Sequence, residues 1–172
     1  MAVIGPAASP TILERKRLQL ADPATAGSAQ PFHAAEPLPL KQAQQHIQRC
    51  IGAGQRLARK GLREMLENLR RDGYQPVACG LLLSSARPLP EFAAILASHA
   101  LIHTAEGELF RDLLAEAAQH HGLRLLRLKE RDMLERYQAH FRRLSEMGRT
   151  LGPPWQQDQK LAALVALLAL DD

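Results

Sequence analysis

The chain has few of the residues that an all-β fold or a disulfide scaffold needs. Among 172 residues, aromatic side chains make up 4% and there are two cysteines, Cys50 and Cys79. The hydrophobic 46% is supplied mainly by leucine and alanine, which favours packed helices over a β-sandwich. Because no CxxC or Cys/His spacing lies between the two cysteines, we expect them to be small buried hydrophobic residues rather than a disulfide or a ligand pair.

Long hydrophobic runs are also missing. The longest apolar run, residues 161–170, is shorter than the roughly 18 residues of a membrane span. The N-terminus has no charged region followed by an apolar stretch and a cleavage site. We therefore expect a cytoplasmic protein with no membrane partner. The net charge of +4 is compatible with an anionic partner but is also ordinary for a globular protein.

The order of elements predicts an α/β fold in one domain, residues 1–172. Alternating residues in 11–20, followed by a turn-rich stretch and PFHAAE, predict an antiparallel hairpin. Residues 39–71 have the three-to-four spacing of a long amphipathic helix ending at Gly73. PVACGLLL, residues 76–83, is typical of a strand buried on both faces, and LRLLRLKE, residues 123–130, of a more peripheral parallel strand.

Helices are predicted between and after these strands. The pattern from Phe92 to Gly122 indicates helix with a break near Ser98. Asp132 is a candidate N-cap for the helix that ends near Gly148 to Gly152, and the last helix, residues 156–170, is apolar nearly all round. We expect a mixed sheet of about five strands, an antiparallel hairpin and then parallel strands, flanked by helices.

The segment SHALIHTAEGELF carries the residues of the chain that are best suited to metal binding or acid/base chemistry. His99, His103 and Glu106 follow at spacings of four and three, which puts them on one face of a helix. Imidazole and carboxylate groups bind divalent metals and carry protons, so this face is a candidate metal or acid/base site. Asp158, or His33 with Glu36 of PFHAAE, could complete it. A hydrogen-bonded structural cluster is the alternative interpretation.

One face of the long helix is basic and is the best candidate for binding nucleic acid. Lysines and arginines on one stripe can neutralise phosphates and give salt-dependent binding. A solvated helix face is the alternative, because Glu64 and Glu67 interrupt the stripe. The residues predicted to bind nucleic acid are Arg56, Arg59, Lys60 and Arg63.

Residues 76–170 resemble the RuvC-type Holliday-junction resolvases and, more broadly, the ribonuclease H-like superfamily. VACGLLL is similar to the central fourth strand of that family, HTAEGELFRDLLAEAAQHHGL to its helix with a GQARG-like turn, and LRLLRLKERDM to its fifth strand and following loop. DQKLAALVALLAL resembles the final helix, which carries the last catalytic acid. The resemblance implies a ribonuclease H-like fold, a nucleic-acid partner and a homodimer.

The same resemblance implies two Mg²⁺ ions held by carboxylates, but the acids match at one position only. Asp158 corresponds to the acid of the last helix, whereas AVIGPAASP has no acid and GLLLSS is followed by none until Glu91. We therefore predict a replaced or lost active site. Its catalytic candidates are Asp158 and Glu106, and its metal ligands His99, His103, Glu106 and Asp158, for Mg²⁺ or Mn²⁺ before Zn²⁺, with no organic cofactor.

Three functions remain open on the sequence alone. The first is a divergent resolvase-related protein that binds nucleic acid and hydrolyses phosphodiesters with a metal. The second is a non-catalytic scaffold or interaction protein that retains the fold and has lost the carboxylates. The third is a metal-dependent enzyme that acts on a small metabolite.

Overall fold

The computed structural model describes residues 2–5, 10–83, 88–153 and 155–171. Four strands and six helices lie in these ranges, together with a 3₁₀ turn at Glu130–Met133. The strands are β1 Ala2–Gly5, β2 Thr11–Arg15, β3 Ala78–Leu83 and β4 Arg124–Lys129. The helices are α1 Pro31–Ala35, α2 Leu40–Arg71, α3 Phe92–Leu96, α4 His99–His120, α5 Leu134–Leu151 and α6 Gln157–Asp171.

The chain forms two compact units, and α2 contributes to both. The first, here called the sheet unit, contains Met1–Leu18, Glu64–Ser85 and Gly122–Asp172. The second, here called the helical unit, contains Gln19–Arg63 and Ala86–His121. The expectation of a single domain over residues 1–172 stays a prediction.

The strands of the sheet unit form two separate pairs. β1 and β2 are antiparallel, with Ala2 opposite Arg15 and Gly5 opposite Thr11. β3 and β4 are parallel and in continuous register from Ala78 opposite Arg124 onwards. The mixed α/β class is therefore confirmed, but the described residues contain four strands in two two-stranded sheets and not one sheet of about five.

The hairpin was predicted with the wrong partner. β2 ends at Arg15 and pairs with β1, whereas PFHAA forms the short helix α1. Proline at the first helical position has its φ already set for a helix and needs no N–H partner there. Phe32 and Ala35, three residues apart, are both buried on one face of that turn. Local helix signals at Pro31 thus override the strand interpretation of PFHAAE.

Helix α6 provides the core of the sheet unit. It contacts β1, β3, β4 and α5, and its buried residues include Ala163, Leu164, Val165 and Leu167. This confirms the interpretation of the all-round apolar segment as a helix packed within the fold. β3 is less enclosed than predicted, because Leu81 is its one buried residue and the others are half-buried.

Helix ends agree with the sequence signals at several glycines. α2 stops before Gly73, α4 before Gly122 and α5 before Gly152, and all three glycines have positive φ. The break near Ser98 separates α3 from α4, as expected. Asp132, the expected N-cap of α5, lies instead inside the 3₁₀ turn, and Met133 occupies the cap position.

Two glycines mark close approaches of elements. A Cβ at Gly54 of α2 would lie 2.5 Å from Leu113 Cδ1 of α4, within the helical unit. A Cβ at Gly80 of β3 would lie 2.4 Å from Val165 Cγ1 and 2.5 Å from the Val165 carbonyl oxygen, within the sheet unit.

Among the described residues, no helix combines the length and the hydropathy that a membrane crossing requires.

Candidate functional site

Three histidines of the helical unit converge at the contact between α1 and α4. His33 comes from α1, while His99 and His103 occupy the first two turns of α4. One ring nitrogen of each lies within 4.8 Å of the other two. His33 was one of the two sequence-based suggestions for completing the site, and the structure brings it to the predicted face.

The imidazole rings are mutually edge-on. Their centroids are separated by 5.2 Å for His33 and His99, 4.7 Å for His33 and His103, and 4.5 Å for His99 and His103. The Nε2 atoms of His99 and His103 are 3.1 Å apart. The spacing of four residues on a helix explains this last contact, because such residues lie one above the other.

Glu106 lies on the buried side of the three histidines and contacts His33. Its Oε1 is 3.0 Å from His33 Nδ1 and accepts a longer bond, 3.3 Å, from the His33 backbone N–H. Glu106 is buried, whereas His99 and His103 are exposed and His33 is half-buried. The cluster thus has a buried acidic side and an imidazole side open to solvent. The role of Glu106 as a direct ligand or catalytic acid stays a prediction.

The docking of α1 explains why His33 reaches α4. Phe32 and Ala35 are buried, and the centroid of the Phe32 ring lies 6.2 Å from the ring centroid of Phe92 in α3. Backbone N–H groups in the first turn of a helix have no acceptor within that helix, and the Gln30 side chain does not cap α1. Glu106 accepts a hydrogen bond from the His33 backbone N–H, so this site residue also caps the start of α1.

Asp158 belongs to the sheet unit. It is exposed in the first turn of α6, where a carboxylate is favoured by the helix dipole. The backbone N–H of Gln156 is bonded at this helix start by the Gln159 side chain, at 2.9 Å. The predicted participation of Asp158 in catalysis or metal binding stays a prediction.

Glu108 and Gly107 are accounted for within α4. Glu108 is 3.5 Å from Arg111 Nη1, an ion pair between residues three apart on another side of the helix. A Cβ at Gly107 would first meet the Arg111 guanidinium, whose Nη1 would lie 2.9 Å away.

The predicted nucleic-acid-binding residues all lie on the part of α2 that belongs to the helical unit. Arg56, Lys60 and Arg63 are exposed. Arg59 is half-buried and donates from Nε to both Glu116 oxygens of α4, at 3.0 Å each. This bond raises the pKa of Arg59 and lowers the pKa of Glu116. Arg59 therefore connects two helices, and the exposed stripe is carried by the other three residues.

A buried Cys–His contact lies elsewhere on α2. Cys50 Sγ is 3.5 Å from His46 Nε2, one helical turn away. Burial raises the pKa of the Cys50 thiol and lowers the pKa of His46. Both groups are thus held in their neutral forms, which makes Cys50 a poor nucleophile. Cys79 is also a free thiol whose pKa is raised by burial, in agreement with the sequence-based interpretation of both cysteines.

Comparison of the chain with protein-family models, with curated proteins and with solved structures gave no match.

Proposed function

We propose that this protein binds a divalent transition-metal ion through His33, His99 and His103 and uses it for hydrolysis. The observation that carries the proposal is the convergence of three ring nitrogens within 4.8 Å at a face open to solvent. Three protein ligands leave a fourth coordination position for water, which is the arrangement of catalytic zinc sites.

The distances support this reading. Tetrahedral coordination with bonds of about 2.0–2.1 Å places ligand nitrogens about 3.3 Å apart. The Nε2 atoms of His99 and His103, at 3.1 Å, already have that separation. The remaining separations are at most 4.8 Å, so closing them requires His33 to move by about 1.5 Å at most.

The donor set favours Zn²⁺ over the Mg²⁺ or Mn²⁺ expected from the resolvase resemblance. Imidazole nitrogen suits Zn²⁺ and its neighbours in the first transition row, whereas Mg²⁺ selects oxygen ligands. His33, His99 and His103 would hold the ion, and a water bound there would have a pKa of about 7, which would make hydroxide available for hydrolysis at neutral pH. No organic cofactor is needed for this chemistry.

For the substrate we propose a phosphodiester of nucleic acid. Arg56, Lys60 and Arg63 form an exposed basic stripe on the same unit as the histidines, and the chain carries a net charge of +4. The resolvase-like pattern of residues 76–170 points to the same substrate class. A homodimer belongs to this proposal as well.

Metal binding is tested first, with protein stripped by a chelator and then titrated with Zn²⁺ or with Co²⁺ as a spectroscopic substitute. We expect one ion per chain and a tetrahedral Co²⁺ absorption spectrum. Replacing His33, His99 or His103 by Ala should weaken binding by more than about 100-fold, since each removes a ligand. His120→Ala, an exposed histidine of α4, is the matched control. Equal affinity in His33→Ala and the control would refute the site.

The substrate is tested by measuring binding to branched and duplex DNA at several salt concentrations. Each phosphate contact contributes about 0.9 to the slope of log affinity against log salt, so replacing Arg56, Lys60 and Arg63 by Ala should reduce the slope by up to about 3. Metal-dependent cleavage that is lost in His103→Ala completes the test. Metal binding without salt-dependent DNA binding would favour the small-metabolite enzyme. The absence of both metal binding and DNA binding would favour the non-catalytic scaffold.

A further inference from the structure

We infer that Glu106 is a positioning residue that fixes the tautomer of His33 and aims its Nε2 atom at the metal. This inference rests on the proposed metal site. It gives Glu106 a role different from the direct ligand or catalytic acid expected from the HxxxHxxE spacing.

Hydrogen-bond chemistry determines the tautomer of His33. Glu106 Oε1 lies 3.0 Å from His33 Nδ1 and also accepts the His33 backbone N–H, so this oxygen is the acceptor in both contacts. The proton of the imidazole therefore resides on Nδ1. In the neutral ring this leaves Nε2 with a lone pair, which is the form that a metal requires.

Position within the fold separates Glu106 from the ligands. It is 9% exposed, and its Oε1 is engaged by two donors of residue 33, the ring Nδ1 and the backbone N–H. A buried carboxylate needs such partners, because its charge is poorly solvated. His99 and His103 on the same helix are exposed and present their Nε2 atoms to each other. The arrangement corresponds to a carboxylate that orients a metal-binding histidine from behind.

The function of this contact is to organise the site before the ion arrives. His33 is the one ligand that comes from α1, whereas the other two are neighbours on α4. Without Glu106, the His33 ring would be free to rotate and to exchange its proton between the two nitrogens. Since loss of such a partner carries a cost of 10- to 100-fold in metal affinity in other sites, we expect an effect of about that size here.

The experiment compares Glu106→Ala, Glu106→Gln and the control Glu108→Gln in Zn²⁺ competition titrations. Glu106→Ala should weaken binding by about 10- to 100-fold. Glu106→Gln keeps an acceptor oxygen for Nδ1–H and should recover most of the loss. Glu108, on another side of α4, contacts Arg111, so its replacement should leave the affinity unchanged.

A second measurement reads the tautomer directly. Nitrogen NMR of the metal-free protein should show His33 protonated on Nδ1 in the wild type and in Glu106→Gln, and a mixture of tautomers in Glu106→Ala. A purely structural role for Glu106 would leave metal affinity unchanged in variants that fold.

The outcomes separate the two proposals. A wild-type protein that binds no Zn²⁺ removes the metal site and this inference with it. A wild-type protein that binds Zn²⁺, with equal affinity in Glu106→Ala, overturns the positioning role alone. If Glu106→Ala does not fold, the nitrogen spectrum of the wild type decides, because protonation of His33 on Nε2 there would contradict the inference.

Discussion

Replacing Gly80 by Ala should destabilise the protein by pushing α6 away from β3. The added Cβ would lie 2.4 Å from Val165 Cγ1, 2.5 Å from the Val165 carbonyl oxygen and 2.7 Å from its carbonyl carbon. Favourable carbon contacts lie at about 3.5–4.0 Å, so the strand and the helix must separate by roughly 1 Å. Two of the three contacts involve backbone, which cannot rotate away as a side chain can.

The expected loss follows from two opposing effects. Overpacking of this kind costs about 1–3 kcal/mol, and a clash with backbone belongs at the upper end of that range. Alanine reduces the conformational freedom of the unfolded chain, which offsets about 0.5–1 kcal/mol. We therefore expect a net decrease of about 2 kcal/mol in the free energy of unfolding, measured by urea denaturation monitored by circular dichroism.

A double-mutant cycle distinguishes a backbone clash from a side-chain clash. Combining Gly80→Ala with Val165→Ala should give a coupling energy near zero, because the carbonyl contact remains. Gly54→Ala is the comparison, since its shortest contact is the Leu113 side chain at 2.5 Å. Leu113→Ala should relieve part of the Gly54→Ala defect. Wild-type stability in Gly80→Ala, or its full rescue by Val165→Ala, would refute the reasoning.

Two further predictions concern pH. The bond from Arg59 lowers the pKa of Glu116 from 4.5, so this pair stabilises the folded state above that value and is lost as pH falls through the lowered pKa. The difference in urea midpoint between the wild type and Glu116→Gln should therefore be largest at neutral pH and vanish once the pH has fallen below the lowered pKa; an unchanged difference in acid would contradict this. Burial lowers the pKa of His46 from 6.5, so its neutral form favours folding above that value and protonation opposes it below. Between about pH 7.5 and 5.5, the free energy of unfolding should decrease less in His46→Gln than in the wild type. Equal decreases in the two proteins would refute the assignment.

Local sequence signals predicted the elements that depend on neighbouring residues. The long helix, the break near Ser98 and the glycines that end helices follow from periodicity and from residues that favour positive φ. The predicted pairing of PFHAAE with residues 11–20 was wrong for a related reason. PFHAAE was grouped with residues 11–20 by proximity, whereas the helix-starting geometry of Pro31 determined its structure.

The candidate site was predictable on one helix and not between helices. The spacing of His99, His103 and Glu106 defines a common face from the sequence alone. The approach of His33 to this face depends on how α1 packs on α4, which involves contacts 73 residues apart. The same limit applies to Arg59, which was predicted to belong to the exposed basic stripe but is half-buried and bonded to Glu116, 57 residues away.

The proposed metal site has a consequence for how ion binding relates to folding. In small zinc modules the ion organises ligands that are otherwise unfolded, so metal affinity contains the free energy of folding. Here α1 is already attached to α4 and α3 by buried Phe32 and Ala35 and by Glu106. The ion therefore has only the imidazole rings to rearrange. Metal removal should leave the helical content unchanged, and the affinity should depend on the groups that orient His33 rather than on the stability of the helices.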